Sequence, residues 1–175
     1  MATSSEVFSL LAFPSDLGWV SMWVNAGEVA RLEFGFSSLS DLLQSGRQEP
    51  TKPGVIESEW VGRIQGYLNG ENVDLSPISL DWSGLSPFQM RVLKQCQQIP
   101  YGLTTTYGQL AKAAGSPGAA RAVGSAMARN RIPLLVPCHR VLPANGLGQY
   151  SAGSGVHTKK KLLQMEGAWE LDLFC

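Results

Sequence analysis

The apolar pattern of this 175-residue chain changes period near Ser86, so no single sheet or helical bundle accommodates both halves. Before that point, Val29-Ala30-Arg31-Leu32-Glu33-Phe34 alternates with period two, as a half-buried strand does. Leu17 to Val24 is apolar-rich, and Asn25-Ala26-Gly27-Glu28 reads as a hairpin turn, so residues 7–36 are expected to form strands. Residues 38–53 read as loop with a short helix at Leu39–Leu43. Trp60, Ile64 and Tyr67 recur at helical spacing and predict a helix from about Ile56 to Leu68, stopped by Gly70. Val73–Leu85 reads as a strand or linker.

After that point the signals are helical. Ser86-Pro87 places a capping residue before a proline at the first helical position. Phe88, Val92, Cys96 and Ile99 follow as one stripe, expected to be buried. Thr106-Tyr107-Gly108-Gln109 fits a capping box opening a helix to about Ala114. Ser116-Pro117 is expected to start another, Ala119 to about Arg129. Two short helices about a glycine turn form a helix-turn-helix pattern, which an ordinary α-hairpin also satisfies. The second helix, with Ala119, Ala120, Ala122, Gly124, Ser125 and Ala126, carries only Arg121 to read base edges. So small a face suits a tight surface, either a neighbouring helix or a narrow minor groove.

Charge divides at the same place. Residues 1–85 hold 4 basic and 11 acidic side chains, net −7. Residues 86–175 hold 10 basic and 3 acidic, net +7. The neutral total therefore hides a basic half suited to an anionic partner. Two domains are expected, 1–85 and 86–175. The start has no basic n-region, and no run approaches the ~18 apolar residues of a membrane span. Three cysteines, Cys96, Cys138 and Cys175, none spaced C-x-x-C, point away from disulfide or zinc frameworks and toward an intracellular setting.

Pro133-Leu134-Leu135-Val136-Pro137-Cys138-His139-Arg140-Val141 concentrates reactive types at the end of an apolar run that should be buried. His139 and Arg140 are expected to give Cys138 an electropositive setting and lower its pKa from about 8.5. In an extended segment Cys138 and His139 point to opposite faces, so a water is expected to relay the proton. His157 and Lys159-Lys160-Lys161 read as a solvated face that could also meet phosphates. For Arg140, a phosphate contact and a structural pairing stay open.

Pro137-Cys138-His139-Arg140-Val141 resembles the active-site signature of the O6-alkylguanine-DNA alkyltransferases, the methylated-DNA–protein-cysteine methyltransferases. The resemblance runs from about Ser86 to Ala168. It takes in Ile99-Pro100-Tyr101-Gly102, Thr106-Tyr107, Ala119-Ala120-Arg121-Ala122-Val123-Gly124, Asn130, Gly148-Gln149-Tyr150-Ser151 and Glu166-Gly167. It implies an α/β protein. A small ribonuclease-H-like N-terminal domain would join a helical C-terminal domain with a winged-helix-like helix-turn-helix.

It further implies irreversible, single-turnover transfer of an alkyl group from O6-alkylguanine, and from O4-alkylthymine, in double-stranded DNA to Cys138. His139 would be the base, Glu166 its orienter, Asn130 a brace and Tyr107 the proton donor to guanine N3. Arg121 would fill the gap left by the flipped base, with Ala120, Ala122 and Gly124 against the minor groove. Met127, Pro133, Val141, Tyr150, Ser151 and Ala152 would form the base pocket, and the Cys138 and Val141 carbonyls would accept from the exocyclic amine. No cofactor, metal or membrane is implied, and the protein is expected to be a cytoplasmic or nuclear monomer. Glu166 near a helix C-terminus calls for a cationic partner.

Departures are Ala152 where the family has Gly, Gln149 where Asn is common, and a longer stretch at Ser154–Thr158. The Ala152 methyl is expected to border the pocket and restrict bulky O6 groups. A lesion-flagging module, a cysteine hydrolase and a transcription regulator are the competing readings. The presence of Cys138, the lack of an oxyanion-hole signature and the base-blind second helix count against each in turn.

Overall fold

Ala26 and Gly27 both have positive φ, 49° and 78°, the geometry a two-residue hairpin needs to match strand twist. The structure, a computed structural model, describes residues 8–44 and 54–169. The start of the chain, the loop expected at 45–53 and Cys175 lie outside the described residues. The chain divides into two compact units, Met1–Asp81 and Trp82–Cys175.

In the first unit the turn joins β2 (Trp19–Asn25) to β3 (Glu28–Phe36), and β1 (Ser9–Phe13) pairs on the other edge of β2. The sheet is antiparallel throughout. The register sets Leu11 beside Met22 and Met22 beside Leu32, and the next buried row is Phe13, Val20 and Phe34. Two helices follow, α1 (Leu39–Gln44) and α2 (Val55–Leu68). Trp60, Ile64, Tyr67 and Leu68 form the buried stripe of α2. The stretch read as strand or linker adds one bridge only, Leu80 to Val29.

The second unit holds α3 (Pro87–Gln97), β4 (Thr105–Thr106), α4 (Tyr107–Ala113), α5 (Ala120–Ala128), β5 (Val141–Leu142) and α6 (Val156–Met165). Both written caps form as reciprocal boxes. The Ser86 hydroxyl accepts from Gln89 N and Thr106 from Gln109 N, while each Gln side chain accepts from its cap residue's N–H. Helix α3 buries Val92, Leu93 and Cys96, whereas Phe88 and Ile99 are only half-buried. Ser116-Pro117 does not open α5. That helix starts at Ala120 with no side-chain cap, because Gly118 at φ 85° keeps the chain in a turn. The parallel pairing of β4 with β5 is the connection that sequence patterning misses, since two-residue strands carry no period.

No helix among the described residues is long and apolar enough to cross a membrane. Because Ser86 satisfies a first-turn donor of α3, Ser86→Ala is expected to lower unfolding free energy by about 1 kcal/mol. Urea denaturation followed by circular dichroism checks this.

Candidate active site

Cys138 is presented by a three-residue 3-10 turn, Cys138–Arg140, and not by the extended segment expected from sequence. Pro137 ends the buried run Ile132–Val136 and cannot continue a ladder. The loop is held closed by one side chain. Asn130 Oδ1 accepts from Ile132 N at 3.1 Å, and Asn130 Nδ2 donates to Val136 O at 2.9 Å and to Cys138 Sγ at 3.1 Å. Asn130 itself follows directly on α5, its N–H bonded to Met127 O.

The next two side chains of the turn both reach Glu166. His139 is fully buried, with Nε2 2.9 Å from Glu166 Oε1. Arg140 grips the same carboxylate through Nε and Nη2, at 2.9 Å to Oε2 and 2.8 Å to Oε1. Its Nη1 donates to the Ile99 carbonyl at 2.6 Å. Arg140 is therefore committed to structural pairing and is the cation that caps the C-terminal end of α6 at Glu166.

Desolvation pushes the Glu166 carboxyl up, but hydrogen bonds from His139 and Arg140 outweigh it and hold its pKa at about 2. The ionised carboxylate accepts the His139 Nε2 proton and leaves Nδ1 as the basic ring nitrogen. Desolvation keeps the imidazole below its usual range, because the raising effect of Glu166 is opposed by Arg140 and Lys159.

The expected fall in the Cys138 pKa does not occur. Burial pushes the thiol up, and the Asn130 hydrogen bond and the Lys159 charge offset that only in part. The reason is geometric: Arg140 spends its charge on Glu166, and desolvation keeps His139 neutral. Lys159 overturns a second expectation. It is no solvated side chain but fully buried, its Nζ donating to the Val141 carbonyl at 2.8 Å. The signal was present in sequence, for Lys159, Leu162, Leu163 and Glu166 fall at i, i+3, i+4 and i+7 on one face of α6.

Above the sulfur lies a cavity of about 150 Å³, lined by Tyr107, Gly124, Met127, Ala128, Cys138, Gln149, Tyr150 and Ser151. Cavities of about this volume accept one aromatic ring. Tyr107 reaches it because the Thr106 cap fixes the first residue of α4 while β4 lies beside β5, just beyond Arg140. Pro133, Val141 and Ala152 are absent from the lining. Pro133 is buried in a bridge to Val136, and the Val141 carbonyl is taken by Lys159.

On α5, Val123, Ala126 and Met127 face inward, while Arg121, Ala122, Ser125 and Ala128 are exposed. Internal packing does not require the small exposed residues. Even at half-buried Gly124 an added Cβ would meet Tyr107 at only 4.0 Å, an ordinary contact.

Residues 87–168 match the family described as 6-O-methylguanine DNA methyltransferase, DNA binding domain. The methylated-DNA–protein-cysteine methyltransferase of Mycobacterium leprae (strain TN) is 42% identical over 123 residues, 67% of this chain and 73% of that protein. The protein of that name from Saccharolobus islandicus is 40% identical over 158 residues, covering 89% and 93%. The crystal structure of Mycobacterium tuberculosis OGT in complex with DNA aligns with a TM-score of 0.73 and 34% identity, over 91% of this chain and 93% of that one.

Removing one partner of a buried, bidentate pair leaves an uncompensated charge. Glu166→Gln is expected to destabilise the protein by about 3–5 kcal/mol at neutral pH. The folded pKa of Glu166 lies below its ordinary 4.5, at about 2. Its contribution is therefore complete above the unfolded value and is lost as pH falls toward the folded one. Denaturation across an acid pH series should show that limb in the parent and its loss in Glu166→Gln.

Proposed function

The chain belongs to the 6-O-methylguanine DNA methyltransferase family, and from that membership and the site geometry we propose that it repairs DNA by taking the alkyl group of O6-alkylguanine onto Cys138. The observation that carries the reading is the position of Cys138 Sγ at a ring-sized cavity. Beside that cavity runs a helix exposing Arg121 and small side chains. Chemistry at O6 needs the base outside the stack. Arg121 enters the duplex in its place, while Ala120, Ala122 and Gly124 let α5 approach the minor groove closely.

The Cys138 proton passes to His139 through a bridging water, and Glu166 stabilises the resulting imidazolium. The sulfur then forms a bond to the alkyl carbon as the carbon–O6 bond breaks. Tyr107 donates a proton at guanine N3, so the base leaves neutral. Met127, Tyr150 and Ser151 hold the base, and the Cys138 carbonyl reads its exocyclic amine. A thioether at saturated carbon has no easy hydrolytic exit, so each molecule acts once. O4-alkylthymine is a second substrate. Residues 1–85, a ribonuclease-H-like fold, support residues 86–175, whose helix-turn-helix is winged-helix-like. The protein acts as a monomer without cofactor.

Incubation with a methyl-labelled O6-methylguanine duplex is expected to transfer one methyl per molecule and stop, with the label on Cys138 by mass spectrometry. Cys138→Ala should transfer none, and turnover beyond one equivalent would sink the reading. Arg121→Ala should slow repair of duplex by about tenfold or more, a fraction of the few kcal/mol that base extrusion costs. Lys160→Ala and Lys161→Ala should cost less. If the lysines prove the dearer loss, Arg121 is not the inserted side chain.

A further inference from the structure

Lys159 is the only fully buried amine among the described residues, and the steps above assign it nothing. Its Nζ is fixed by the Val141 carbonyl, 2.8 Å away. No carboxylate among the described residues pairs with it. Glu166, the buried acid among the described residues of this unit, is held by Arg140 and His139. An ammonium withdrawn from water without an anion is costly, and such a group persists where an anion is to form. The groups around it narrow the choice. Arg140 is bound to Glu166, His139 bears no negative charge, and burial raises the Tyr107 phenol away from ionisation. Cys138 begins the turn that leads into Val141, whose carbonyl holds the Lys159 amine, and Cys138 and Lys159 each shift the other toward its charged form.

We propose that Lys159 is the counter-ion of the Cys138 thiolate, a positioning residue whose ammonium, anchored on the Val141 carbonyl, lets negative charge form on a buried sulfur. The proton leaving the thiol goes to His139, and Lys159 keeps its own. The Cys138–Lys159 pair thus passes from net +1 to net zero as the nucleophile forms, and no isolated buried anion is created. Desolvation also brings the Lys159 pKa down to about 8, so the advantage fades as pH rises through that value. The inference rests on Cys138 being the nucleophile, but thiolate formation is readable without DNA.

The test is the pH dependence of Cys138 alkylation by iodoacetamide in the full folded chain, with peptide mass spectrometry separating Cys138 from Cys96 and Cys175. Lys159→Met is expected to slow the reaction at pH 7 by about tenfold or more, since one pKa unit is tenfold in thiolate. Its midpoint should move to higher pH, while its melting temperature stays level or rises because an apolar chain replaces a buried amine. Lys159→Arg keeps the charge and should hold the midpoint at or below that of the parent. An unshifted midpoint in Lys159→Met overturns the proposal. So does a loss of rate that scales the whole profile and comes with a lower melting temperature, the mark of a purely structural anchor. If Lys159→Met does not fold, a midpoint above the parent in Lys159→Arg overturns it. Methyl transfer from an O6-methylguanine duplex, run on the same samples, reads the family activity separately. Failure there with an intact lysine-dependent thiol profile rejects the substrate and leaves the ion pair standing.

Discussion

A single carboxylate organises the second unit. Glu166 sits where a helix dipole disfavours negative charge, and it stays ionised only because a guanidinium and an imidazole converge on it. Arg140 carries the connection further, to the Ile99 carbonyl, and the Tyr101 hydroxyl returns it to Met165 O at 3.0 Å. The end of α6, the 3-10 turn and the loop after α3 are thereby locked together. The net charge of the Glu166–Arg140 pair is zero, so the imidazole beside it is not driven to protonate and can still accept a proton.

The Cys138 sulfur is held by a second set of groups. Asn130 fixes the sulfur, and Lys159 acts on it through charge. The His139–Glu166–Arg140 cluster and the Asn130–Cys138–Lys159 cluster are joined by the short turn Cys138–Arg140 and by α6, which carries Lys159 and ends at Glu166. A buried thiol with a raised pKa is ordinarily inert. What distinguishes this one is that its surroundings can absorb the charge when it forms.

Much of this was legible in the residues. Ser86 and Thr106 announced their helices because a cap is a local, two-partner device. Ile132–Val136 announced its burial because an apolar run has one stable location. The Cys138–Arg140 conformation was not legible, because a 3-10 turn after proline has no periodic mark. The Cys138 pKa is not legible for a related reason: adjacency in sequence is not adjacency of charge, since the turn points Arg140 at Glu166. Lys159 was hidden in a run of three lysines. Only its helical register with Leu162, Leu163 and Glu166 separates it from its two neighbours.

The parallel pairing of β4 with β5 has a consequence for the order in which the protein folds. Its partners, Thr105 with Val141 and Thr106 with Leu142, lie far apart in the chain, and the ladder is only two residues long. Closing so large a loop for so few bonds is entropically unfavourable until the intervening helices have condensed. The α4–α5 hairpin, built from near neighbours, forms first, and Tyr107 meets Cys138 only afterwards. The cavity that Tyr107 and Cys138 share is therefore a late acquisition of the folding chain, and protection of the Cys138 thiol in a refolding experiment is a clock for native assembly.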